Sequence, residues 1–242
     1  MTSTTSGSPF RTVISTKNTE LDARLGGGVP IGSLTLIEGT SGSGKSVLSQ
    51  QIIWGALMDG FIVSLFTTEN TVKSLMRQME SIDLDVRDYL LLSRFKAFSI
   101  ELSQLGERAP QALSQSMHTE CNRPRLAPNV LVIDSFTSGL TDGKNRAGII
   151  SFFEECKRLC AKDISIFVTV HSRAVDEELL DLLRSMSDAN VKLRSEQDGQ
   201  RLVKVLEVGK IRGAASTTGA IVGFDVEPGW GMRVIPISKA RG

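Results

Sequence analysis

Apolar and polar positions alternate between two rhythms along most of the chain. Short, almost wholly apolar runs at 33–37, 61–67, 130–133 and 164–170 predict strands. The run at 130–133 is wholly apolar, as expected of a strand covered on both faces, and 164–170 reads as another buried strand. Between the runs, helical periods predict helices at 18–25, 45–58, 71–81, 144–161 and 176–187. The first is capped at Asn18 and stopped by Gly26-Gly27-Gly28 and Pro30. The 144–161 segment carries Ile149, Phe153, Cys156 and Cys160 along one stripe. Segment 90–98 reads as a weaker strand interrupted by Arg94 and Lys96, and 112–128 as a helix that ends in a loop around Pro124 and Pro128. After 187 the pattern changes: 191–195, 202–208, 220–226 and 232–237 read as strands joined by turns, one carrying Asp198-Gly199. Strands alternating with helices and then a run of strands imply an α/β fold. Its mostly parallel central sheet is flanked by helices and extended by C-terminal antiparallel strands. The first nine residues are Ser/Thr-rich, and the expected organisation is a mobile tail over 1–17 followed by a single domain over 18–242.

Composition narrows the function classes. The 242 residues carry 28 basic and 27 acidic side chains, a formal net charge of +1. A chain whose main partner is a nucleic-acid backbone would carry a clear basic excess, and with aromatics at 5% there are few stacking platforms for bases. Apolar residues make up 40%, enough for a sizeable core, but no apolar run approaches the roughly 18 residues of a membrane span. Three cysteines, Cys121, Cys156 and Cys160, do not make a secreted disulfide framework. Cys156 and Cys160 sit one helical turn apart on an apolar stripe and read as core. The opening residues lack the basic and apolar regions of a signal peptide, so the expected location is cytoplasmic.

The chemistry concentrates in one stretch. Gly39-Thr40-Ser41-Gly42-Ser43-Gly44-Lys45-Ser46 is a complete G-x-x-x-x-G-K-[ST] loop between a predicted strand and a predicted helix, with Val47 as the next helical residue. Its glycines let backbone N–H groups turn inward around phosphates, and the helix start aims its positive end at them. Lys45 would neutralise the outer phosphates of ATP, and Ser46 would ligate Mg²⁺. Asp134 ends the apolar strand 130–133, where ligands of open α/β sheets gather, and fits a Mg²⁺ or metal-water role; the rival reading is an Asx-turn or cap. Glu69 follows the strand 61–67 and could orient and deprotonate a water attacking the γ-phosphate, or could simply be a helix-start acid. His171 follows the strand 164–170 and is a candidate γ-phosphate sensor, or a plain polar strand end. Lys210 and Arg212 are two apart, so in a strand they share a face, and nothing obvious in the sequence neutralises them. They face an anion or guard an edge strand.

Several motifs together resemble one group. Leu25-Gly-Gly-Gly-Val-Pro-Ile-Gly-Ser33, the loop ending Gly44-Lys45-Ser46, Phe66-Thr-Thr-Glu-Asn70 and Lys210-Ile-Arg-Gly213 are similar to the RecA-superfamily branch typified by KaiC. Val205-Leu-Glu-Val-Gly-Lys-Ile-Arg-Gly213, Thr217-Thr-Gly219, Val226-Glu-Pro-Gly-Trp-Gly-Met232 and Ile235-Pro-Ile-Ser-Lys239 bring the chain nearer still to the FlaH family of ATP-binding accessory proteins of the archaellum motor. The resemblance implies a RecA-like core that binds ATP and forms a hexameric ring at the cytoplasmic base of the archaellum. The partners it implies are the motor ATPase FlaI and, where present, the scaffold FlaX. It also implies that Lys210 and Arg212 reach a neighbour's nucleotide. KaiC-type hydrolytic sites carry two adjacent acids; here the pair is Glu69-Asn70, and an amide cannot accept a proton, so slow hydrolysis is expected. Three functions follow: an assembly component governed by ATP occupancy, a KaiC-like ATPase or an autokinase using Ser135 or Thr137, and a recombinase-like DNA-binding ATPase.

Overall fold

The computed structural model describes residues 12–139, 145–198, 201–214 and 219–235. In chain order the elements are β1 (Val13–Ile14), α1 (Thr19–Arg24), β2 (Val29–Pro30), β3 (Leu34–Gly39), α2 (Lys45–Met58), β4 (Val63–Thr67), α3 (Val72–Ser81), α4 (Arg87–Leu91), β5 (Phe95–Ser99), α5 (Ala109–Cys121), β6 (Val130–Asp134), α6 (Arg146–Cys160), β7 (Ser165–His171), α7 (Glu177–Met186), β8 (Ala189–Asp198), β9 (Arg201–Ile211), β10 (Ile221–Glu227) and β11 (Gly231–Ile235). Nine strands form one sheet in the order β11-β10-β9-β8-β3-β7-β6-β4-β5. From β8 to β5 neighbouring strands run parallel, while β9, β10 and β11 join antiparallel beyond β8. The expected α/β architecture, with its parallel centre and antiparallel extension, is thus the observed one.

The apolar strands are apolar throughout because each face has its own helical cover. In β6, Val130 and Val132 enter one core and Leu131 and Ile133 the other. The first core is closed by α2 and α3 through Leu48, Ile52, Ile53, Leu75 and Met79. The second is closed by α5, α6 and α7 through Leu113, Met117, Phe152, Phe153, Leu179 and Leu183. Each such side chain fully withdrawn from water contributes about 1.5–3 kcal/mol, so both layers weigh heavily in holding the strand order. Cys156 and Cys160 are buried in the second core, and burial pushes both thiols up, Cys160 to about 12. No helix among the described residues is long and apolar enough to cross a membrane.

Local signals set the helix starts. Asn18, Thr71 and Asp176 each accept a hydrogen bond at the side chain from the backbone three residues on, satisfying a donor that has no intrahelical partner.

Several expectations need revising. The boundary at residue 18 falls inside the fold. Val13–Ile14 pairs with Val29–Pro30, Ile14 is buried, and Thr16 donates to Asp22 from both backbone and hydroxyl. The first 11 residues of the expected tail lie outside the described residues. Segment 90–98 is not one strand: Arg87–Leu91 is helical, Ser93 turns the chain at φ 57°, and the strand begins at Phe95. The apolar run Leu90-Leu91-Leu92 is exposed, so it mimics a strand without filling one. Short 3₁₀ turns at Leu102–Gln104, Gly106–Arg108 and Phe136–Gly139 carry no sequence period long enough to read. Lys144, Gly199, Thr217 and residues 236–239 of the sequence motifs lie outside the described residues.

Gly55 gives a test of how tightly the amino-terminal segment is held. A Cβ there would strike the Ser15 carbonyl oxygen and come within 2.7 and 2.8 Å of the Thr16 backbone. In an open helix Gly→Ala stabilises by about 1 kcal/mol. Here the clash wins, and Gly55→Ala is expected to destabilise by about 1–3 kcal/mol in urea unfolding.

Candidate nucleotide site

Strand order brings four strand ends to one edge. Gly39 of β3 is paired with His171 of β7, and Asp134 of β6 with Thr67 of β4. The loop between Gly39 and Lys45 emerges at this edge and turns into α2, with Gly44 as N-cap in the left-handed region at φ 101°. Glycine is required there twice over. The conformation disfavours a side chain, and a Cβ would lie 2.8 and 2.9 Å from the Phe224 ring.

A cleft of about 340 Å³ opens over this loop, lined by Ser41, Gly42, Gly44, Lys45, Ser46 and Val47 together with Glu69, Gln78, His171, Lys204 and Val226. Of the predicted nucleotide residues, Gly39, Thr40 and Ser43 form the loop but do not line the cleft. Lys45 is buried, and its Nζ donates to the Thr40 carbonyl at 2.8 Å. Burial holds its ammonium below the ordinary lysine value, opposed by the Glu69 and Asp134 carboxylates. Asp134 is buried as well, and Thr169 Oγ1 donates to its Oδ1 at 2.7 Å. Burial pushes the Asp134 carboxyl up and the Glu69 charge adds to this, while hydrogen bonds from Thr169 and Ser46 and the charge of Lys45 pull it back. The Ser46 hydroxyl is therefore within hydrogen-bonding reach of the Asp134 carboxylate. Two oxygen donors at a phosphate-shaped loop fit Mg²⁺, which keeps several waters and phosphate oxygens in its shell rather than demanding an all-protein cage. Among the described residues no group of three or more His, Cys, Asp or Glu side chains is placed to hold a metal ion.

Glu69 lines the cleft and contacts His171, Nε2 to Oε1 at 3.3 Å. Both are fixed from behind. Thr67 Oγ1 accepts the Glu69 and Asn70 backbone N–H groups, Thr68 Oγ1 donates to the Ser135 carbonyl at 2.9 Å, and the His171 N–H donates to Thr137 Oγ1 at 2.8 Å. Phe136, stacked on Phe152 at 4.3 Å, anchors the turn that carries Thr137. Asn70 does not line the cleft; its side chain accepts from the Ser74 hydroxyl.

Lys210 and Arg212 lie elsewhere. In the β8–β9 register Lys210 pairs with Asn190, whereas Gly39 pairs with Leu193, so the two cations sit toward the sheet edge opposite the loop. Arg212 stands past the end of β9, in a turn, rather than in the strand. The expectation that nothing nearby neutralises them also fails: Asp188 Oδ1 lies 3.7 Å from Arg212. That carboxylate is already shared with Lys157 at 2.6 Å, so cations still outnumber it. Burial first, then the Arg212 charge, pushes the Lys210 ammonium down, while Asp188 opposes this.

Lys204, Gln78 and Val226 are cleft residues that sequence reasoning missed. Gln78 accepts from Gln50 at 2.8 Å. Lys204 and Val226 reach the loop only because β9 and β10 fold back across it, a register that no local pattern encodes.

Burial of Asp134 supplies a pH test. A raised native value means that ionising this group costs the fold stability at neutral pH, a cost relieved as acid protonates it. Thr169 favours the ionised form, so its contribution is present where Asp134 is charged and fades on acidification. Thr169→Val is therefore expected to destabilise by about 1–3 kcal/mol at pH 8, with the gap to wild type closing as pH falls.

The family model described as "ATPase: KaiC" matches residues 14–239. The chain is 32% identical over 231 residues to the "Archaeal flagellar ATP-binding protein FlaH" of Sulfolobus acidocaldarius, covering 95% of this chain and 99% of the relative. It is 27% identical over 221 residues to that of Methanocaldococcus jannaschii, covering 89% and 91%. The crystal structure of flagellar accessory protein FlaH from Methanocaldococcus jannaschii superimposes with a TM-score of 0.77 at 22% identity, covering 93% of this chain and 99% of that one. The chain belongs to the KaiC family of ATPases and, within it, to the FlaH group.

Proposed function

We propose that this chain binds Mg²⁺-ATP in the β3–α2 cleft and acts as an ATP-governed assembly component of the archaellum motor. The observation that carries the binding is the constellation at one sheet edge: a glycine loop capping α2, buried Lys45 under the charges of Glu69 and Asp134, and the Ser46 hydroxyl within hydrogen-bonding reach of Asp134. Loop N–H groups and the α2 start would hold the phosphates, Lys45 would offset their outer charge, and Ser46 and Asp134 would hold the metal, which would supply charge neutralisation when bound. The motor assignment rests on relatives named as archaeal flagellar proteins, and FlaI and FlaX are its proposed partners.

Hydrolysis is proposed to be slow. Phosphoryl transfer depends on positioning and charge stabilisation, and among the described residues that line the cleft Glu69, beside His171, is the one acid that could orient a water, with Asn70 turned to Ser74. Ring assembly is proposed because Lys210 and Arg212 stand away from their own loop. They carry more positive charge than Asp188 and, on this reading, meet a phosphate of another copy. A nucleotide that binds across an interface must strengthen association, by linkage.

Two outcomes test the reading. Mg²⁺-ATP at a hundredfold above Kd contributes about 2.7 kcal/mol, and for a domain of this size that raises the melting point by roughly 5–11 °C. A melt indifferent to saturating Mg²⁺-ATP contradicts binding. In light scattering, Mg²⁺-ATP should drive wild type into larger assemblies, while Lys210→Ala/Arg212→Ala binds nucleotide but assembles poorly. Equal assembly by both would leave the cations as edge-strand charges.

A further inference from the structure

The cleft contains a cation that none of the P-loop chemistry uses. Lys204 lies on β9, opposite Ser195 of β8 and Phe224 of β10. Its stem runs across the last glycine of the loop: a Cβ placed on Gly44 would meet Lys204 Cδ at 3.6 Å, beside the Phe224 ring. Lys204 is half-buried and lines the same cleft as Lys45 and Ser46.

Other cations on and beside these strands are differently placed. Arg194 is held by Glu196 and Glu207, and Arg212 leans on Asp188. For Lys204 the described residues offer no carboxylate at ion-pair distance. Lys204 thus brings a positive charge without a carboxylate partner to the cleft from β9, while Lys45 brings one from α2. It stands over Gly44 at the start of α2, whereas Glu69 and His171 mark the other end of the phosphate path.

Resting on the nucleotide reading above, we infer that Lys204 is a phosphate-contacting residue of the chain's own site, engaging the α- and β-phosphates that ATP and ADP share. The strand then serves two sites. Lys210 lies six residues further along β9, roughly 20 Å away at strand rise, on the edge proposed to meet a neighbouring copy. One rigid strand thus spans the chain's own nucleotide and the interface.

The test is equilibrium titration of the full chain with Mg²⁺-ATP and with Mg²⁺-ADP, using wild type, Lys204→Gln and Lys204→Arg. Melting of the nucleotide-free proteins serves as the folding control. Removing a charge-assisted hydrogen bond to phosphate, as Lys204→Gln does, should weaken both nucleotides roughly 10-fold or more. Lys204→Arg, which keeps the charge, should restore most of the affinity. Wild-type affinity in Lys204→Gln, or a loss confined to ATP, would overturn the assignment while leaving nucleotide binding intact. Wild type that binds neither nucleotide would overturn the underlying reading and this inference with it.

Discussion

The site depends on one buried charge. Lys45 sits in the interior at the head of α2, donating to the Thr40 carbonyl, while the charges of Glu69 and Asp134 at the ends of neighbouring strands oppose part of the cost of its burial. An ammonium buried without such partners would lose its proton or unfold its surroundings. The strand order is therefore an electrostatic requirement as well as a packing one. With β7, β6 and β4 following β3 in the sheet, Gly39, His171, Asp134 and Thr67 share one edge, and the acids arrive within reach of the lysine. Asp134 in turn is held by Thr169 on β7, so neighbouring strands cooperate in keeping a carboxylate where water is scarce.

The same sheet separates two kinds of cation. Lys45 and Lys204 converge on the loop from α2 and β9, while Lys157, Lys210 and Arg212 crowd Asp188 near the far edge. Between the edges, Glu38 supplies a fixed link. It is buried directly before the loop on β3 and is gripped by Arg184 through two hydrogen bonds of 2.8 and 2.7 Å, with Asn190 adding a third at 3.1 Å. Lys210 approaches the carbonyl of Ser185, the residue after Arg184, at 3.5 Å. Loop, α7 and the distal cations thus rest on one polar frame within the apolar layers, which suits a domain whose nucleotide state is read at an interface.

Much of this is legible in the sequence because local chemistry dictates it. The loop from Gly39 to Ser46 has one physical use, and the apolar runs ending in Asp134 and His171 must be central strands delivering polar residues to an edge. What stays hidden is set by distant register. Lys204, Gln78 and Val226 enter the cleft through the antiparallel meander and α3, and an isolated lysine in a strand has no pattern that marks it. Leu90, Leu91 and Leu92 mislead in the opposite sense, since an apolar triplet left in solvent has the composition of a strand without its burial. Val13–Ile14 hides behind a polar leader, because a two-residue pairing is too short to carry a period. Arg212 has the spacing of a strand residue, yet the strand stops one residue earlier.

Lys45, buried at the head of α2 under the opposing charges of Glu69 and Asp134, is on this reading the cation around which a nucleotide assembles. Isothermal titration of Mg²⁺-ATP into wild type and Lys45→Ala addresses it most directly. Saturable binding by wild type that is lost in a folded Lys45→Ala variant is the result predicted. Undiminished binding by that variant would place the nucleotide elsewhere and contradict the account.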